Sequence, residues 1–330
     1  LLFVSPSFSC RDMREVPAME NCSTATEFIL VGFRDLPELQ ITFFITFLVL
    51  YFTTVLGNGA MIALISADSQ LHTPMYYFLK NLSFLDLCYS SAIAPKALVN
   101  FFEKSNIISY EGCVAQLMLF TIFVTTEGFL LAVMAYDRLI AICYPLLYPT
   151  KMSKKSCHRL VATSYACGCT NGVIQTSVSF RLRFCNHSKI NHFFCDVPAV
   201  MKAASTNTYI NEVVMFSLCN VIIAVTTVVI FTSYAYIMNT ILKISSAEGR
   251  QKAFSTCASH ITAVTIFYGT VFFIYAQPAA ISSPAQSKIV SVFYTLVIPM
   301  LNPLIYSLRN KDVKEALKRT LGKKRLFSMS

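Results

Sequence analysis

The run VAQLMLFTIFVTTEGFLLAVMAY, residues 114–136, is followed at once by DRLIAIC, residues 137–143. The run carries one acid, Glu127, then an adjacent acid and base, Asp137 and Arg138, after which apolar residues resume. A helix needs about 20 apolar residues to cross the hydrocarbon core of a bilayer, so this stretch reads as a membrane span. A charged pair at its end belongs at a membrane edge, where Arg138 can snorkel to water. Many membrane helices use such a pair simply as an anchor.

Outward from this span the same pattern repeats. Of 330 residues, 55% are hydrophobic and only 13% charged, with a mean hydropathy of +0.57; a soluble domain carries about 25% charged residues. Ile41–Ile65, Leu160–Phe180, Val213–Leu242 and Ile289–Leu308 hold no charge. Leu82–Val99 holds Asp86 and Lys96, and Ala253–Ala285 only His260. The fold class is therefore an all-α membrane protein, a seven-transmembrane helix bundle. The division predicted is residues 1–18 as an upstream extension before Met19, 19–39 as an extracellular N-terminus, 40–309 as the bundle and 310–330 as a cytoplasmic tail.

Net charge is +10, and its placement fits the positive-inside rule rather than nucleic-acid binding. Lys151, Lys154, Lys155 and Arg159 fall in one set of loops, with Lys243, Arg250, Lys252 and the basic cluster Arg309–Arg325. Those loops and the C-terminus are placed in the cytoplasm and the N-terminus outside. The sequons at Asn21 and Asn186 then lie where glycosylation occurs, while Asn81 lies in a span. In the tail, Val313, Ala316, Leu317 and Thr320 share one helical face opposite basic residues, which suits a short amphipathic helix on the inner membrane surface.

MAYDRLIAIC (134–143) resembles the MAYDRYVAIC signature of vertebrate odorant receptors, within the rhodopsin-like G-protein-coupled receptors. MENCSTATEFILVGF (19–33), PMYYFLKNLSFLDLCYSS (74–91), KAFSTCASH (252–260) and PMLNPLIYSLRN (299–310) resemble the same family, in its tetrapod-type class. The resemblance implies an odorant receptor of the plasma membrane, in cilia of olfactory sensory neurons. It implies coupling to a stimulatory olfactory-type G protein that raises cAMP, with membrane lipid and trafficking chaperones as further partners. It also implies an activation switch of Asp137, Arg138, Tyr234, His260, Asn302, Pro303 and Tyr306, in which a carboxylate holds Arg138 at rest. Leu139 stands where the family carries Tyr.

Asp86 and Glu127 lie deep in their spans, where an unpaired charge costs about 2.5–3.5 kcal/mol, so each should face the bundle interior. The resemblance places both near Asn302, as a polar core or sodium site; sodium is the only ion and the only cofactor implied. Outside is oxidising, so Cys113 and Cys195 can form a disulfide that tethers the long outer loop. The family pairs the position of Cys185 with one that here is Ser205, so Cys185 is expected to lack its usual partner, with Cys22 or Cys10 as replacements. Cys88, Cys143, Cys167, Cys169, Cys219 and Cys257 read as small apolar packers, while Cys157 falls in an inner loop and should stay reduced.

The resemblance puts the ligand pocket between the outer halves of helices three, five, six and seven. Helical spacing then selects Phe120, Thr121, Val124 and Thr125 on helix three and Leu218, Cys219 and Ile222 on helix five. Tyr268, Val271, Phe272 and Tyr275 follow on helix six, and Thr295 on helix seven. These walls are apolar with a few hydroxyls and no carboxylate, which suits a small, neutral, mostly hydrophobic ligand. A transporter would need an inverted repeat and a polar path, and neither is recognisable here. No HExxH, GxSxG or phosphate loop points to an enzyme. A peptide or lipid receptor is the nearest rival, with Arg181, Arg183 and Lys189 as charged outer contacts.

Overall fold

The structure, a computed structural model, describes residues 25–33, 37–103, 105–185, 188–275, 284–309 and 312–319. Among these residues stand seven long helices: α1 Gln40–Ala67, α2 Pro74–Asn100, α3 Tyr110–Cys143, α4 Lys154–Ser179, α5 Tyr209–Leu242, α6 Ala247–Tyr275 and α7. The last is built from Pro284–Val292, a π-helical turn Phe293–Val297 and Ile298–Arg309. The helices overrun most of the charge-free segments, because backbone hydrogen bonding continues where the side chains turn polar. Large apolar side chains such as Val49, Phe52, Val228 and Phe231 are exposed on the outside of the bundle, as lipid contact allows.

Helix α4 is the least apolar of the spans. Ser164, Asn171, Gln175 and Thr176 are all buried on it, and it packs against α3 through two glycines one turn apart. A Cβ on Gly168 would lie 2.6 Å from the Ile122 carbonyl oxygen, and one on Gly172 would lie 2.4 Å from Ile122 Cγ1. Small residues let two backbones approach closely in a membrane, so α4 docks by contact and polar satisfaction rather than by greasiness.

At the face of the bundle nearest the N-terminus, β1 (Glu27–Leu30) pairs antiparallel with β2 (Ile107–Ser109) and parallel with β3 (Ser188–Ile190). Phe28 stands opposite Ile108 on one side and Ser188 on the other. The segment before α1 is thus stitched to both connecting loops. Gly32, at φ +58°, turns the chain out of β1, a conformation glycine adopts without a Cβ clash. The α4–α5 loop is tied to α3 by the Cys113–Cys195 disulfide. Gln116 holds it further, accepting from the Cys195 N–H at 2.9 Å and donating to the Ala92 carbonyl at 2.9 Å. Phe194 from this loop packs on Phe120, ring centroids 5.2 Å apart, and Phe193 on Phe33 at 5.6 Å.

At the opposite face, residues 312–319 form helix α8. Val313 and Ala316 are buried and Leu317 is half exposed; Thr320 lies outside the described residues. Arg319 donates from Nε and Nη2 to Asp68 at 3.1 and 2.9 Å, and Tyr76 donates to Asp312 at 3.0 Å. Two polar contacts therefore pin α8 beside the ends of α1 and α2.

Candidate functional site: a cavity, a polar core and a latch

An apolar cavity of about 80 Å³ opens between α3, α4, α5, α6 and α7 under the α4–α5 loop. Phe120, Thr121, Val124 and Thr125 line it from α3, Cys219 and Ile222 from α5, and Tyr268 and Val271 from α6. Three of the remaining candidates do not line it. Leu218 is turned off the wall, Phe272 is 66% exposed, and Thr295 is fully buried with its hydroxyl on the Ser291 carbonyl at 2.7 Å. The side chain of Tyr275 lies outside the described residues. Helix rotation explains the misses: a stripe at helical spacing is wider than the strip one cavity touches.

The wall also holds residues that spacing on four helices does not select. Asn171 and Gln175 enter from α4, Val197 from the loop, Met215 and Thr226 from α5, and Tyr294 from α7. The signal for α4 was present in its run of buried-capable polar residues, unusual for a span with no charge. Two hydroxyls of the wall already have partners. Thr125 accepts from Asn171 Nδ2 at 2.9 Å, and Tyr268 donates to the Gly128 carbonyl at 3.1 Å.

Below the cavity, the bundle brings Asp86, Glu127 and Asn302 together, each essentially buried. Asn302 Nδ2 donates to Asp86 Oδ1 and Oδ2 at 3.2 and 3.0 Å and more weakly to Glu127 Oε1 at 3.4 Å. Tyr89 adds a hydroxyl to Asp86 Oδ1 at 3.3 Å, while Glu127 Oε2 has no partner among the described residues. Carboxylate oxygens are the donors hard cations take, and this unmatched Glu127 oxygen is one that such an ion could use. No cluster of three His, Cys, Asp or Glu side chains occurs among the described residues.

Lower still lies the latch. His260 Nε2 is 3.1 Å from the Leu131 carbonyl, an acceptor only, so Nε2 carries the proton. Nδ1 pairs with the Tyr234 hydroxyl at 2.7 Å; in the neutral ring that nitrogen accepts and the hydroxyl donates. Arg138, expected to snorkel to water, is instead only 5% exposed. Its neighbour Asp137 is only 3% exposed, because the bundle closes around the end of α3. Asp137 accepts from the Tyr148 hydroxyl at 2.9 Å. Tyr306 is buried, with its hydroxyl unmatched among the described residues. Pro303 lies inside α7 next to Gly57 of α1, where a Cβ would meet its ring at 3.0 Å. Leu139 packs with Ile237 and Ile241.

In the α4–α5 loop, burial pushes the Asp196 carboxyl up to about 6, against hydrogen bonds from Tyr294 and the Val197 N–H. Burial, with help from Lys288, lowers His192 to about 3; its Nε2 lies 3.0 Å from Ser291 Oγ. Cys185 meets Ser205 Oγ at 3.1 Å and is itself disulfide-bonded. The seven remaining described cysteines are free; Cys157 and Cys257 are buried, whereas Cys169 is exposed. Asn21, Asn186, Cys10, Cys22 and residues 1–18 also lie outside the described residues.

A family model described as olfactory receptor matches residues 47–324. Olfactory receptor 9S13 of Mus musculus is 57% identical over 292 residues, 88% of each chain. Olfactory receptor OR9H1 of Homo sapiens is 54% identical over 305 residues, 92% of this chain and 99% of its own length. Olfactory receptor 9K2 of Homo sapiens is 54% identical over 307 residues, 93% and 91% of the two chains.

Proposed function

The chain belongs to the olfactory receptor family of rhodopsin-like G-protein-coupled receptors, multi-pass membrane proteins that are not enzymes, and from that premise we propose how it senses and signals. A small, neutral, mostly hydrophobic odorant binds the cavity between α3, α4, α5, α6 and α7 from the extracellular side. The receptor then activates a stimulatory olfactory-type G protein at the cytoplasmic face and raises cAMP. The observation that carries this reading is the composition of the cavity wall, apolar with hydroxyls and amides and no charged side chain.

Helix α6 links cavity to latch. Tyr268 and Val271 line the cavity, and His260, two turns away on the same helix, meets Tyr234 and Leu131. Two hydrogen bonds therefore join α6 to α3, at Gly128 and at Leu131. A ligand that favours an outward α6 weakens both and exposes Arg138 to the G protein. It shifts the equilibrium only by its preference for that state; a swing from 1:99 to 99:1 needs about 5.5 kcal/mol. Asp86, Glu127 and Asn302 would hold a sodium ion in the resting form, and its positive charge would offset the buried carboxylates. The N-terminus is assigned to the outside and α8 to the cytoplasmic surface.

A cAMP reporter assay with an odorant panel tests the reading, in cells supplying trafficking chaperones. Agonists among neutral volatile compounds are expected, with Arg138→Ala silent at equal surface display. Silence of a well-displayed native chain across the panel overturns the function. A potent response to a diamine alone overturns the ligand class.

A further inference from the structure

The fourth helix brings an unused amide to the cavity. Gln175 is 2% exposed, lies on the cavity wall and makes no hydrogen bond to the described residues. Four other polar residues of the wall are committed, although the Asn171 Oδ1 has no partner among the described residues. Thr121 donates to the Leu117 carbonyl at 2.8 Å, Thr226 to Ile222 at 2.7 Å, Tyr268 to Gly128 at 3.1 Å, and Tyr294 to Asp196 at 3.1 Å. One turn along α4, Asn171 spends its N–H on Thr125. Thr125 accepts that bond and keeps its own hydroxyl proton.

An amide buried without partners costs free energy that a well-packed apolar residue would not. Held against an otherwise greasy cavity, it gains that energy back only when a ligand supplies the missing partners. We propose that Gln175, with Thr125 beside Asn171, is a polar subsite that selects odorants bearing a hydroxyl group. A hydroxyl can accept from the amide N–H or the Thr125 proton and donate to the amide oxygen at once. A ketone or ether of the same skeleton can only accept, and leaves the amide oxygen unmatched. An ionised ligand is disfavoured because no charged side chain lines the cavity. This inference rests on the proposed odorant-receptor function and adds the ligand's chemical class.

The test uses the full chain on cells, surface display verified, with alcohols, ketones, methyl ethers and alkenes on matched aliphatic and cyclic skeletons. In the native chain, alcohols are expected to be about tenfold more potent than the matched ether or alkene. In Gln175→Met, similar in length but apolar, that ratio is expected to fall towards one, while the response to the alkene is kept and reports an intact fold. Gln175→Leu repeats the comparison if the first variant is poorly displayed. An unchanged ratio in a displayed, responsive variant overturns the subsite and leaves the receptor function standing. A native chain that responds to the panel without preferring alcohols overturns the subsite equally. A displayed native chain silent to every compound overturns both.

Discussion

His260 shows how much one side chain can carry. As the neutral Nε2–H tautomer it ties α6 to α3 through Leu131 and to α5 through Tyr234. Tyr234→Phe removes the hydroxyl and leaves the ring. Losing a bond worth about 0.5–1.5 kcal/mol should shift the resting equilibrium by roughly two- to tenfold. Agonist-independent cAMP is therefore expected to rise at matched display; an unchanged basal level would remove this bond from the latch. Asp196 and His192 make a second prediction. A carboxyl raised to about 6 by burial contributes stability present below its ordinary value and lost as pH rises through about 6. His192, lowered to about 3, contributes stability present above the ordinary imidazole value of about 6.5 and lost as pH falls toward 3. Thermal stability of the purified receptor should thus fall on the alkaline side through Asp196 and on the acid side through His192. Asp196→Asn should flatten the fall above pH 6, and parallel profiles for native and variant would discard the assignment.

Among the elements, α4 is the one whose role its sequence reading understates. Gly168 and Gly172 set its approach to α3, and at Gly168 the obstructing atom includes a backbone oxygen that cannot rotate away. Gly168→Ala should therefore destabilise the bundle by about 1–3 kcal/mol, seen as reduced surface display and a lower unfolding temperature. Gly59→Ala, where an added Cβ meets nothing within 4 Å, is the matched control. Equal behaviour of the two variants would mean that α3 and α4 are not in close contact. Individual spans were legible because hydrophobic length is a local property that lipid reads directly. The rotation of α4 about its own axis was not, since its partners across the bundle decide which face is buried. That is why Asn171 and Gln175 escaped notice while Phe120, Thr121, Val124 and Thr125 were found.

For the whole molecule, the charge distribution makes the boldest claim, an outward N-terminus and an inward C-terminus. Antibody access to tags at the two ends of intact cells checks it. Staining of the N-terminal tag alone is expected, and staining of both would undo the orientation. The sequence by itself determined that this is a seven-helix membrane protein of the olfactory receptor family, because spans and signature motifs are written in contiguous residues. It also picked out Asp86, Glu127 and Asn302 as partners through the resemblance. Only the tertiary structure decided that β1 is clamped between β2 and β3, that Arg138 is enclosed, and that a glutamine of α4 faces the cavity. Each depends on groups distant along the chain meeting in space. The meeting is set by packing and by the need to pair polar atoms away from water, neither of which any single segment records.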